Sequence, residues 1–561
     1  MARTVLSRAV GVVAALLLVA LSAACSSSQP NAPVQPTAAS GQPATSGQQQ
    51  SQPAAKPAAQ AENVLNIGLF SEPDFIDPHV FTSVGFVPVD NAYEQLVGTD
   101  KDSTKLVPKL AESWKVSDDG LTFTFNIRKN VKFQDGAMLD AEAVKTSFER
   151  LKKLNKGTSW VLSNLQSITV KDPYTIEMKI TPGGPPFLEG LVNVYIVSPK
   201  AIKEQDKNGD MAQDYLNRQS AGTGPYKIVS WDRSQKLVLR QFDDYWGGWP
   251  NPNHFTTINM LVIPEASTER LMLEKGEIDM AMKFPAESLP ELEKNPNIQV
   301  VKAPGLRVFY LKIQNAAPPT NDVRVRQAIN YAFDFSAFQK AMEGTYDPPV
   351  GPTPAEFLGN WKPNFPYKYD VAKAKELLQQ AGYSESNKAK MIVDILNDTP
   401  DQKKAAQILQ AGLAATGLAE LDIRENEWSV MLKYNTDWQK NKDPNTAHHL
   451  FGLFTPARVP DAYSYLWYTY DSKASGSFAR NVMNYNNPKV DRLLEEAALE
   501  TDANKKIELY RQADQIIVDE AADLFIGTQT KVYLLRKDIK GFYVHPTWYP
   551  TVEAYYMYRE K

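Results

Sequence analysis

The chain has 561 residues, 43% of them hydrophobic and 22% charged, with a formal net charge of −4. That length exceeds what one hydrophobic core serves, so two or three domains share it, and the mildly acidic balance excludes a nucleic-acid binder, which needs a basic face. The single cysteine, Cys25, excludes an internal disulfide and a thiolate zinc site.

Residues 1–24 carry the three parts of a secretory signal: Arg3 and Arg8 in front, an apolar run from Val10 to Leu21, and small residues before Cys25. The run is short for a membrane span and leads into a polar tail. Leu21-Ser22-Ala23-Ala24-Cys25 resembles a bacterial lipobox, with Ser22 standing where the pattern has leucine. Cys25 then becomes the lipidated first residue of the mature chain; the alternative is an ordinary secretory signal with an incidental cysteine. Residues 26–61 are almost all Ser, Gln, Pro, Ala, Gly and Thr, with Lys56 as the one charge. Such a segment buries too little apolar surface to fold, and as a tether it reaches roughly 30–40 Å.

Order begins at residues 64–69, a predicted strand. Alternation over Leu121 to Ile127, after the Asp119-Gly120 turn, and over Tyr174 to Ile180 predicts two half-buried strands. Asp140 is placed to cap a helix with Val144, Phe148 and Leu151 on one face. Ala374, Leu377, Leu378 and Ala381 repeat at helical spacing up to Gly382. Asn487-Pro488 starts a helix striped with Val490, Leu493, Leu494 and Ala497, and Ile507, Tyr510, Ile516 and Ile517 mark another. Strands and helices interleave throughout, so the fold class is α/β.

No GxSxG, HExxH, Walker A or GxGxxG pattern is present. Gly222-Thr223-Gly224-Pro225-Tyr226 is glycine-rich, but its proline blocks a phosphate cradle. Asp118-Asp119 and Asp243-Asp244 read as turn residues, because hydrolytic carboxylate pairs come from separate segments. A site assembled from distant segments is the enzymatic alternative. His448-His449 reads as a solvated loop, with a metal role as the alternative. No cofactor is expected.

Several motifs follow one another in order: Glu72-Pro73 with Asp77-Pro78-His79; Leu106-Val107-Pro108 through Ala111-Glu112-Ser113-Trp114; Ser117 to Phe123; and Phe133-Gln134-Asp135-Gly136. Gly222 to Tyr226, Asp244-Tyr245-Trp246-Gly247-Gly248, Gly276-Glu277-Ile278-Asp279 and Asp322 to Ile329 come after them. From about residue 64 onward this order resembles the family 5 extracellular solute-binding proteins, the oligopeptide, dipeptide and nickel binders of ABC importers. The resemblance implies a two-lobed periplasmic-binding-protein fold (type II, cluster C-like) with an additional inserted domain. Domain I would comprise 62–97, 219–300 and 526–561, domain II 98–218, and domain III 301–525. It further implies a monomeric binding protein, not an enzyme, on the extracytoplasmic face of the membrane. Such a protein closes by a hinge around a solute, most simply a peptide. It delivers the solute to an ABC permease and, through it, to ATPase subunits.

The resemblance also points to site residues. Ser83, Val84 and Gly85 map to a domain I loop that meets ligand through its backbone. Trp428, after Glu427, matches a tryptophan that walls the pocket, with core packing as the alternative. Thr455 leads into Ala457-Arg458-Val459-Pro460-Asp461-Ala462, the counterpart of a "DYxDP" motif whose aspartate pairs with a peptide's α-ammonium. Arg458 stands in that aspartate's place and suits a carboxylate or another anion. Alternatively the alignment slips and Asp461 takes the ammonium role, or Arg458 forms a structural ion pair. Tyr463 and Trp467 are further candidates within an aromatic run. An oligosaccharide, opine-like or metal-chelate ligand is the second binding reading, and a lipid-anchored hydrolase is the rival class.

Overall fold

Alternating residues build strands where period two predicts them, at Val64–Leu69, Thr122–Ile127 and Thr175–Ile180. Phe123, Phe125, Ile176 and Met178 are buried, while Asn126 and Lys179 between them are exposed. The computed structural model describes residues 63–560 apart from 82, 102, 398, 444–446, 475–480, 482 and 546–550, so the signal segment, Cys25 and the tether lie outside the described residues. The helices start on the expected caps. Asp140 accepts from the Ala143 amide at 2.8 Å to open Ala141–Leu154, and Asn487 from the Lys489 amide at 2.9 Å to open Pro488–Leu499. Each such cap is worth about 1 kcal/mol.

Separate cores define two lobes. In the first lobe, one core gathers Leu65, Ile67, Ile258 and Met260, and the segment carrying Tyr195, Val197, Ala201 and Leu216 packs into it. A second core, around Phe125, Phe148, Ile176 and Leu191, fills a four-stranded antiparallel sheet backed by the helix Ala141–Leu154. In the other lobe, Phe309, Leu311 and Ile313 face one core and Val308 and Tyr310 face another. A strand buried on both faces reads as this kind of continuous apolar run.

One 11-stranded sheet passes through both lobes. In the second lobe its strands run Ala419–Asn426, Ala389–Leu396, Leu450–Pro456, Ile298–Ile313 and Asp523–Arg536. In the first they continue as Met280–Ala281, Val64–Leu69, Thr257–Val262, Lys236–Gln241 and Tyr226–Asp232. Ile298–Ile313 and Asp523–Arg536 serve both lobes. They pair from Ile298↔Arg536 to Ala303↔Lys531, shift register, and resume from Arg307↔Gln529 to Lys312↔Asp523. At Gly305, between the two stretches, a Cβ would lie 1.3 Å from the Gln529 carbonyl oxygen, so only glycine lets the strands pass there. Two strands with a bulge form the hinge.

The motifs that carry the resemblance hold the first lobe together. Asp77 accepts from Arg150 Nη1 at 2.9 Å and Nη2 at 2.6 Å, and both side chains are fully buried. Arg150 Nη1 also meets His79 Nδ1 at 3.0 Å, and His79 Nε2 donates to the Tyr195 carbonyl at 2.9 Å. Buried Glu94 accepts from Thr223 Oγ1 at 2.8 Å, the Tyr245 hydroxyl at 3.0 Å and Trp246 Nε1 at 2.8 Å, which joins two motifs to one carboxylate. At Gly222 a Cβ would lie 2.2 Å from the Ala92 carbonyl oxygen, so this glycine-rich stretch is a close backbone crossing. His448 and His449 correct the sequence reading of a solvated loop, because both are buried. The His448 Nδ1 bonds Asp394 and its ring stacks on Tyr434 at 4.0 Å. His449 accepts from the Ile392 amide at 3.1 Å and donates to the Pro318 carbonyl at 3.1 Å. Among the described residues no group of three or more His, Cys, Asp or Glu is placed to hold a metal, and no helix is long and apolar enough to cross a membrane.

Candidate functional site

At the hinge lies a cavity of about 210 Å³. Met282 and Phe284 wall it from the first lobe, Tyr346 and Asp401 from the second, and Arg307 and Gln529 of the hinge strands form its floor. The Arg307 guanidinium lies 3.9 Å from the Phe454 ring centroid, and its Nη1 donates to Gln529 Oε1 at 3.0 Å. No carboxylate among the described residues pairs with it. Asp401 is instead engaged by the Tyr346 hydroxyl. Buried Lys531, at the same wall, donates to the His545 carbonyl at 2.7 Å, and burial pushes its ammonium down to about 7.

A second group forms where the first lobe's inserted unit meets the other lobe. Lys506, on the helix Ala503–Asp519, binds Asp461 Oδ2 at 2.8 Å and Glu189 Oε1 at 2.9 Å. Burial works against this ammonium, but Asp461 and Glu189 outweigh it and hold Lys506 above the usual lysine range. Asn193 Nδ2 adds a second tie, donating to the Arg458 carbonyl at 2.9 Å. A cavity of about 230 Å³ opens at this seam between Phe123, Pro186 and Glu189 on one side and Leu499, Thr501 and Lys506 on the other.

The residues expected at the ligand site divide accordingly. Ser83–Gly85 forms a single 3₁₀ turn leading into the helix Phe86–Ala92. The Val84 side chain is spent in the first core, and Gly85 sits so close to Phe75 that a Cβ would come within 2.8 Å of its carbonyl oxygen. Trp428 opens the helix Trp428–Asn441, where Glu427 Oε1 accepts from Asn397 Nδ2 at 2.9 Å; the Trp428 and Ser83 side chains are not among those described. Thr455 lies opposite Val308, next to Phe454, and so beside the Arg307 floor. Arg458 is half-buried, its amide donating to Ser464 Oγ at 3.2 Å. Asp461 caps the Tyr463 amide at 2.8 Å, and its charge is matched by Lys506. Tyr463 is buried in the second lobe's core and stacks on Trp467 with ring centroids 4.8 Å apart. Arg307, Gln529, Tyr346 and Asp401 carry no motif. The one signal for Arg307 is a cation set in an otherwise apolar strand, a residue type rarely buried without a partner or a task.

Two lobes with their own cores, joined by two strands and walling a shared cavity, are the architecture of a solute-binding protein. The family model described as "Bacterial extracellular solute-binding proteins, family 5 Middle" matches residues 105–477. The chain belongs to this family of extracytoplasmic solute-binding proteins and is not an enzyme. The "Probable D,D-dipeptide-binding periplasmic protein DdpA" of Escherichia coli (strain K12) is 30% identical over 501 residues, 87% of this chain and 93% of that one. The "Glutathione-binding protein GsiB" of Salmonella paratyphi A is 28% identical over 518 residues, 88% of this chain and 94% of that one. Among solved structures, the periplasmic binding protein DppA from Helicobacter pylori in complex with peptide STSA matches with a TM-score of 0.74 at 27% identity, covering 89% of this chain and 99% of that one.

Proposed function

We propose that this protein is the lipid-anchored substrate-binding component of an ABC importer, that it captures a peptide between its lobes, and that it hands the peptide to a membrane permease. The observation that carries this reading is the cavity walled by both lobes at a two-strand hinge. A solute touching both walls stabilises the closed form by its differential affinity, and the closed surface is what a permease can recognise. The names of relatives as D,D-dipeptide, dipeptide and glutathione binders support a peptide ligand. Lipid on Cys25 and the tether of 26–61 keep the protein near its permease. Domain I is assigned to 62–97, 219–300 and 526–561, domain II to 98–218 and domain III to 301–525, with the part of domain II around Tyr195 to Leu216 docked on the domain I core. Ligand contacts are assigned to the Ser83–Gly85 backbone, Trp428, Thr455, Arg458 and Trp467, while Asp461 and Tyr463 support that wall.

Native mass spectrometry of the protein purified with its ligand tests the reading: a released peptide is expected, and conversion of the captured molecule would instead reveal a hydrolase. Cys25→Ala is expected to move the protein from the membrane to the soluble fraction. A second reading, an opine-like, oligosaccharide or metal-chelate ligand, is favoured by the engagement of Asp461 with Lys506. That pairing, with Arg458 in the aspartate's place, leaves the "DYxDP" counterpart without an unspent acid for an ammonium group.

A further inference from the structure

Arg307 is not neutralised in the way several buried cations of the lobes are. Arg150 meets Asp77, Lys312 meets Asp523, and Lys506 meets Asp461 and Glu189. Arg307 meets an amide oxygen and an aromatic face. The Phe454 ring under its plane and the Gln529 oxygen at one Nη hold the guanidinium in one orientation, and most of its five donors stay unspent. The cavity over it also carries Lys283, against the single lining acid Asp401, whose Oδ2 is taken by Tyr346. A half-buried cation that is pre-oriented, unneutralised and set in a net-positive chamber is arranged for an incoming anion.

We propose that Arg307 is the anion receptor of the interlobe cavity and that the ligand presents a carboxylate to it. The proposal deepens the capture reading and rests on ligand entering between the lobes. The carboxylate can be a peptide C-terminus or the acid of a non-peptide solute, since the fork recognises the group and not its source. Arg307 sits on a strand shared by both lobes, beside the register shift. Neutralising it from above therefore ties the ligand to the hinge itself, and a carboxylate is worth more here than on a wall that moves with one lobe.

The test uses the full-length protein and a library of short peptides of both chiralities, each as the free acid and as the C-terminal amide, with N-acyl amino acids and neutral oligosaccharides alongside. Affinities are compared for the native sequence, Arg307→Met, which keeps an apolar stem over Phe454, and Arg307→Lys, which keeps the charge and loses the fork. Folding is checked by circular dichroism. The native protein is expected to prefer acid over amide about 10- to 100-fold, with the preference gone in Arg307→Met and reduced in Arg307→Lys. A preference that survives in both variants overturns the proposal and leaves peptide capture standing. Preference for N-acyl amino acids with no peptide bound, abolished in Arg307→Met, upholds the proposal and removes the peptide. Capture of amides as tightly as acids, of neutral sugars alone, or of nothing overturns it.

Discussion

Arg150 shows what a single residue does in the first lobe. It is buried, it bridges Asp77 and His79 of a loop more than seventy positions earlier, and its Nε donates to the Met211 carbonyl at 2.9 Å. Arg150→Met strands a buried aspartate, and breaking such a pair costs about 3–5 kcal/mol; urea unfolding should show that loss, and a loss under 1 kcal/mol would contradict the role. The histidines offer a second check. Burial, with Arg150 alongside, pushes His79 down to about 4, and burial does the same to His449 and His545. The unfolded chain protonates these rings first as pH falls. Their contribution to stability is therefore complete above about 6.5 and is lost as pH drops to about 4. Asp90, raised by burial to about 6, works in the opposite direction, so the total profile is shallower than the histidines alone would make it. Ring resonances followed by NMR isolate each site: all three should stay neutral until about pH 4, and a midpoint near 6.5 would show that the ring is solvated.

Among the elements, the helices were the most legible part of the sequence. Their caps and apolar stripes are local, and Asp140 and Asn487 cap as their positions predict. What a helix reaches across to is not local. Lys506 shares its stripe with Ile507 and Tyr510, yet its ammonium spans Asp461 in its own lobe and Glu189 in the other. Lys506→Met leaves two partly buried carboxylates facing each other and should open this seam. Because apparent affinity falls with the fraction of closed molecules, ligand binding is expected to weaken about 10-fold, with a larger radius of gyration in solution scattering. Unchanged scattering together with unchanged affinity would show that the contact does not govern closure.

At the scale of the whole molecule, function lies in the relation between lobes. Gly305 marks the point where the shared strands pass each other with no room for a side chain. Ligand should compact the native protein in solution scattering, and Gly305→Val should destabilise the fold or abolish that compaction. A stable variant that still compacts would move the hinge elsewhere. The candidate site was legible only where it adjoins a motif. Arg458 and Asp461 were found from the resemblance to "DYxDP". Arg307, Gln529, Tyr346 and Asp401 stand far apart in sequence and converge because one sheet threads both lobes.

Periodicity, caps and the order of the motifs were enough by themselves to determine the α/β class, a handful of the strands and helices, and the family, because each depends on residues a few positions apart or on a pattern strung along the chain. Which charges neutralise one another was decided only by the tertiary structure. Asp461 belongs to Lys506, Asp77 to Arg150, and Arg307 to no carboxylate among the described residues. Coulomb attraction acts through space, and nothing in a linear sequence encodes which side chains a sheet will bring within 3 Å of each other.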